Sequence, residues 1–439
     1  MHTRSHSTIS IARFRDEEDG GGTVFSVLLL ISMIGLGGYA LDVSNVMTSR
    51  TELQITADAV AHAALLKRER SSVAVAKAAA IAISTANLPI QNVGTVIHTN
   101  DIVFGRWDAE QRKFFPEPTS KTGVQVTARQ NSENENPIST FFLRIVGFND
   151  WDVSVQATYS TYKPTCLREG FVAENFVDIQ SNNNFSNGFC IHSNEYVSLQ
   201  SNNIFEPGTV VSMPDLANLE LPNSGYQSNL GLGDALREGS WNIRILQRIN
   251  DIISGISDPT SVFRPAYLTS STPIRLTKRT VEQANLTAGR VHTYSCGSGA
   301  SLTIGTNVVL NKMAIVTDCR VRFNQGVILE DSVIATTSTS DQSMTSAAGL
   351  QVGRKDNCAA GGEAQLVTMG SMSFPADLKI YGGQLIANRN IEFSANADGM
   401  QGASMVAGGQ ISGTSNMNMG FCGNKNDNNF QVDYFKLVQ

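Results

Sequence analysis

The sequence predicts a membrane-anchored α+β part followed by an all-β right-handed parallel β-helix, a solenoid with a helical insert. Three observations predict it. Thr23 to Leu41 is an apolar run without a charge, long enough at about 1.5 Å per helical residue to cross a hydrocarbon core of about 30 Å. Residues 123–130 and 151–159 carry the period-two alternation of half-buried strands, and 101–107 is β-rich. After Cys166 the texture becomes short β runs separated by Gly and Asn turns, with a self-match about one coil apart.

Composition narrows the functional classes. Of 439 residues, 41% are hydrophobic and 16% are charged, with a net charge of -6. That content builds a sizeable core and excludes a disordered chain, which pairs few apolar residues with high charge. No basic stripe interleaved with aromatics is present, so nucleic acid is not an expected partner. Low charge with abundant Gly, Ser, Thr and Asn fits β-rich structure outside the cytoplasm.

The elements follow in order. Residues 1–22 read as a cytoplasmic tail and 23–41 as a transmembrane helix. Arg4, Arg13 and Arg15 precede the run and only Arg50 follows closely, so the positive-inside rule keeps the N-terminus in the cytoplasm and sends the bulk to the periplasmic or extracellular side. The run passes into Tyr39-Ala40-Leu41-Asp42 without a small-residue cleavage site, which favours a retained anchor over a cleaved signal. Val46, Leu53, Ala57, Val60 and Ala64 continue one helical face. Ala57, Ala61 and Ala64 form a small-residue face suited to helix–helix contact, with intramolecular packing as the alternative. A second, Ala-rich helix is expected over 72–87, before Pro89. Strands are expected at 101–107, 123–130 and 151–159. Ile138, Phe141, Phe142 and Ile145 have the spacing of a short amphipathic helix. Residues 42–165 therefore read as an α+β periplasmic domain.

Residues 166–439 read as the solenoid. Ile179-Gln-Ser-Asn-Asn-Asn-Phe185 recurs as Leu199-Gln-Ser-Asn-Asn-Ile-Phe205, and Tyr381-Gly-Gly-Gln-Leu-Ile386 is echoed by Ala407-Gly-Gly-Gln-Ile411. Stacked Asn and apolar ladders would fill such coils; an irregular β-sandwich is the alternative. The insert lies near 232–256, where Ile245, Ile249, Ile252 and Ile253 share a face with Leu246 beside them, and it would pack on the solenoid or cap its end. All six cysteines (Cys166, Cys190, Cys296, Cys319, Cys358 and Cys422) lie in this part, which fits disulfides in an oxidising compartment. Neighbour pairing is the simplest of the 15 connectivities. No C-x-x-C or paired histidine suggests a metal.

Several blocks of the N-terminal part carry a resemblance. They are Arg13-Phe14-Arg15 with the acidic and glycine residues at 16–22, the apolar run, and Leu41-Asp42-Val43. Leu53-Gln54-x-x-Ala57-Asp58-Ala59 follows, then Val103-Phe104-Gly105-Arg106-Trp107-Asp108, Val124-Gln-Val-Thr-Ala128, and 137–147 with Phe141-Phe142. In order and spacing, roughly the first 165 residues resemble the TadG-like branch of the Tad/Flp pilus-assembly proteins. The resemblance implies a single-pass inner-membrane protein of the machinery that builds adhesive Flp-type pili, with other Tad/Flp proteins as partners and no enzymatic activity. Two departures stand out. Many relatives carry a D-x-S-x-S metal motif, whereas here Asp341-Gln-Ser343-Met-Thr345 lacks the preceding apolar strand and reads as a solvated turn. Pseudopilin relatives keep a Glu five residues after a cleavage-site glycine. Here Phe25, Ser26 or Val27 holds that place after Gly20, Gly21 or Gly22.

No catalytic, cofactor or metal site is expected. Two rival readings use the solenoid: a surface adhesin or polysaccharide-binding module, and a tethered polysaccharide lyase or hydrolase. The second would draw on Asp331, or on Asp318 with Arg320 and Arg322, because such sites need clustered carboxylates or a carboxylate-bound cation with an Arg base. Of the histidines, His2 and His6 lie in the tail and His62, His98, His192 and His292 are dispersed without metal-ligand spacing. Asn424-Lys-Asn-Asp-Asn-Asn429 is oxygen-rich and reads as Asx turns rather than a calcium loop.

Overall fold

Helix formers without a proline run from the apolar segment to Arg68, and the chain makes one helix of them: α1, Gly21–Arg68, 48 residues long. The computed structural model describes residues 21–297, 300–413, 415–423 and 428–439, without the side chains of 21 and 396–398. Residues 1–20 of the expected tail, with Arg4, Arg13, Arg15, His2 and His6, lie outside the described residues, as does 424–427 of the Asn-rich stretch, and Gly21 and Gly22 already belong to α1. Two compact units divide the chain: residues up to Tyr162 with Phe435–Gln439, and Lys163–Tyr434.

In the first unit, α1 ends on Lys67 and Arg68, where cations suit the helix dipole. Arg68 also donates to the carbonyls of Ser71 and Thr119. Ser72 then caps α2, Val73–Asn87, by accepting from the Val75 N–H. Four antiparallel strands follow: β1 Ile102–Asp108, β2 Lys113–Pro116, β3 Gly123–Gln130 and β4 Val153–Tyr162. Their alternation buries Val124, Val126, Ala128, Val155 and Ala157 in one core with Leu53, Ala57, Val60, Ala61 and Ala64 of α1 and Ala76 and Ala80 of α2. A fifth strand, Tyr434–Leu437, joins the sheet outside β4. There the Thr158 N–H donates to the Gln439 carbonyl and the Val438 N–H to the Thr158 carbonyl. The sequence reading grouped 435–439 with the solenoid; backbone pairing, which no side-chain pattern announces, places them here.

One expectation in this unit is overturned. The segment expected as an amphipathic helix holds a two-residue strand, Ile138–Ser139, and a single 3₁₀ turn, Leu143–Val146. Ile138 is buried, but Phe141, Phe142 and Ile145 are exposed. The turn is tied by backbone donors rather than by an apolar face.

The second unit is a large β-rich domain with a parallel sheet. Phe171 pairs with Ile191 and Ile191 with Val211; Val177 pairs with Val197, and Phe185 with Phe205. The self-matched segments therefore lie side by side in register. Phe185 stacks on Phe205 and Phe176 on Tyr196, each at 5.0 Å between centroids. Their asparagines form a ladder: Asn203 Oδ1 accepts from the backbone N–H and the Nδ2 of Asn183, and Asn229 Oδ1 accepts from the Asn203 N–H. Asn182 and Asn202 take positive φ at the adjoining turns, a conformation Asn tolerates better than most residues.

Row order in the sheet is not chain order. Rows succeed one another from Ile274–Arg275 through Ser404–Ala407, and that last strand then pairs with Gly170–Ala173, the unit's first. Residues 239–273 must therefore travel back along the stack. They do so over an apolar stripe. Val172, Val406, Ile386, Val367 and Ala335 stand in register on successive strands. Ile243, Ile245, Ile249, Ile252, Ile253, Ile256 and Phe263 pack on them in one cluster. Their strand neighbours Phe171, Met405, Leu385 and Leu366 enter a separate core, so these strands are apolar on both faces. The helix in the returning segment is Ile249–Ser257, preceded by a 3₁₀ turn at Leu246–Arg248. It lies on the rows, not across their end.

Candidate functional site

The chemistry of the first unit concentrates where α1 leaves its apolar run. The run ends at Leu41, and the next residue is Asp42, a carboxylate buried on the helix side. It accepts three backbone N–H groups, from Phe141 at 2.7 Å, Phe142 at 2.9 Å and Leu143 at 2.6 Å. These are the orphan donors at the start of the Leu143–Val146 turn, and a carboxylate is the group that satisfies them best. Burial pushes the Asp42 carboxyl up, but the three donors together with Arg144 outweigh it and hold the carboxyl below its ordinary value. Thr140 closes the other side, its hydroxyl donating to the carbonyls of Phe148 and Asn149. Gly38, one helical turn before Asp42, gives Phe142 its seat: a Cβ there would fall 2.6 Å from Phe142 Cβ. The result is a turn pinned to α1 with Phe141, Ile145, Val146 and Phe148 facing outward. Sequence reasoning noted Asp42 only as the residue that ends the apolar run and as part of a resemblance. The available signal was a lone carboxylate directly after an apolar run.

Ala57, Ala61 and Ala64 have no exposed surface and are packed inside the first unit's core. The six cysteines form three disulfides, Cys166–Cys190, Cys296–Cys319 and Cys358–Cys422. Cys296, Asp318 and Cys319 are the one metal-like grouping among the described residues. Its sulfurs are bonded to each other, which leaves one carboxylate.

The carboxylates weighed for catalysis do not converge. Asp318 and Arg320 line an open groove of about 570 Å³ with Thr337 and Ser340, and Asp331 is not among its lining residues. Burial pushes the Asp318 carboxyl up, but donors from Ser295 Oγ and the Cys296 N–H outweigh it and hold it below its ordinary value, the wrong direction for a general acid. Asp331 is buried and accepts from the Gly362 N–H, and Arg322 faces solvent. In the Asp341-x-Ser343-x-Thr345 stretch, Asp341 pairs with Arg389 at 2.6 Å, while Ser343 is buried and bonds Thr368. These oxygens serve different neighbours. Asn428 and Asn429 donate to Glu363 and to the Arg168 carbonyl.

Two histidines are buried supports. His192 pairs through Nδ1 with Ser212 and through Nε2 with Asn194, and stacks on Trp241 at 4.2 Å. Burial lowers its pKa below the ordinary imidazole value. The His292 Nε2 accepts from the Thr287 N–H. Glu169 was not anticipated. It is fully buried, its Oε2 accepts from the Cys422 N–H, and its other oxygen has no partner among the described residues. Burial pushes its carboxyl up to about 7.

Comparisons with known families fall along the same division. A family model described as Putative Flp pilus-assembly TadE/G-like matches residues 20–82, and one described as Putative Tad-like Flp pilus-assembly matches 61–158. A third, described as Domain of unknown function (DUF7867), matches 170–423. No curated protein and no solved structure matches the chain.

Proposed function

Since this chain is a Tad/Flp pilus-assembly protein and belongs to the family described as Domain of unknown function (DUF7867), we propose that it is a structural, membrane-anchored component of pilus assembly and secretion. In this reading residues 1–22 are the cytoplasmic tail, 23–41 cross the inner membrane once, 42–165 form a periplasmic α+β domain that docks other Tad/Flp proteins, and 166–439 project as a β-solenoid supporting adhesion. The observation that carries it is the change of surface along α1. Its residues from Val24 to Leu41 are uncharged, mostly apolar and almost all exposed, whereas Leu53, Ala57, Val60 and Ala64, farther along the same helix, are fully buried. An apolar surface of that length left out of any core suits lipid, not water. The solenoid reading is supported by successive parallel pairing, at an offset of 20 residues in the first rows, and by the asparagine ladder.

Deleting residues 24–41 is expected to move the protein from the membrane to the soluble fraction and to abolish its co-purification with pilus secretion components. Retention in the membrane would count against the anchor. The polysaccharide-binding and lyase readings have weaker support, because the second unit's carboxylates are spread over separate neighbours and fold alone does not assign chemistry.

A further inference from the structure

The turn that Asp42 pins leaves a concentrated apolar surface outside the unit's core. Phe141 is 60% exposed, Ile145 79%, Val146 69% and Phe148 65%. A turn with such side chains in water is unfavourable, and a soluble unit would fold them inward. Here they are held outward from two sides. The Asp42 carboxylate fixes the backbone of 141–143, and Phe142 rests on α1 at Gly38. Both fixing points lie at the end of the apolar run, so the turn stands level with that end and its surface continues the exposed apolar surface of Val24–Leu41. The Asp42 carboxylate has its charge turned into the backbone donors, and Asp150, two residues past Phe148, accepts from the Ser139 hydroxyl. Arg144, within the turn, is exposed and carries the sign that suits anionic headgroups.

We infer that residues 141–148 insert into the interfacial layer of the lipid bilayer beside the membrane helix, giving the first unit a second contact with lipid. This rests on the membrane-helix reading above. A helix alone fixes neither the rotation nor the tilt of what it carries; a second point of insertion fixes both.

The test uses the full chain in phosphatidylcholine–phosphatidylglycerol vesicles. Nitroxide labels are placed one at a time on Ile145→Cys and Phe148→Cys. Met33→Cys serves as the lipid reference and Val262→Cys, on the exposed surface of the second unit, as the water reference. The described native cysteines are all in disulfides, so the label reports the added one. The expected result is that both turn labels show accessibility to a water-soluble nickel chelate several-fold below that of Val262, with an oxygen-to-chelate collision ratio between those of the Val262 and Met33 labels. Turn labels open to the chelate while Met33 remains in lipid would overturn this inference and leave the anchor standing. A Met33 label in water would overturn both. Turn labels closed to both probes would place the turn against protein, and would also overturn it.

Discussion

Glu169 is the residue whose chemistry is most open to measurement. An acid whose folded pKa lies above its unfolded value binds its proton more tightly in the folded state. Its stabilisation is therefore complete below about 4.5 and is lost as pH rises to about 7. The Glu169 contribution to the unfolding free energy of the second unit should fall by at most about 3 kcal/mol across that window, so the difference between the native chain and Glu169→Gln should shrink by that amount. Urea titrations at pH 4.5 and 7.5 read it directly. At this scale the sequence was legible where a residue's partner is its own repeat. Asn183 and Asn203 lie in matching heptads, and their ladder follows from the match. Glu169 and Asp42 were not legible, because their donors lie 253 and about 100 residues away and neither position has a local pattern.

Elements were legible in proportion to the purity of their period. β3 spans the expected Gly123–Gln130 because its alternation is unbroken. The segment 138–148 was misread because aromatic residues at helical spacing mark an amphipathic helix only when something covers them. Here the backbone donors of 141–143 go to Asp42 instead, and no longer helix forms. The returning segment 239–273 shows the opposite case. Its isoleucine face was visible and packing on the β domain or at its end was expected, but which strands it covers was not, since the stripe is built from single residues on many strands. Ile252 is fully buried there. Ile252→Ala should cost about 2–5 kcal/mol in urea unfolding, whereas Ile204→Ala, at an exposed strand position, should stay within about 0.5 kcal/mol.

For the whole molecule, the sequence conveyed composition and succession but not order in space. Gly/Asn turns and recurring short strands announced the second unit, yet nothing local says that its first rows follow its last. The same holds for the fifth strand of the first unit, whose partner β4 precedes it by the length of the second unit. That insertion has an entropic consequence. With the second unit unfolded, the fifth strand sits at the end of a flexible loop of about 270 residues, and closing such a loop costs about 5 kcal/mol. Once folded, the unit holds its own ends together, with Asn429 Nδ2 at 3.5 Å from the Arg168 carbonyl, and most of that cost disappears. A Cys358→Ala/Cys422→Ala variant, lacking the disulfide that spans 64 residues, should therefore show faster amide exchange at Thr158 and Val438, where the fifth strand is bonded; unchanged exchange would mean the two units fold without regard to each other. The outer edge of β4 is thus covered in proportion to the integrity of the second unit. A chain whose second unit has failed would display an unpaired strand edge of the kind that aggregates and invites proteolysis.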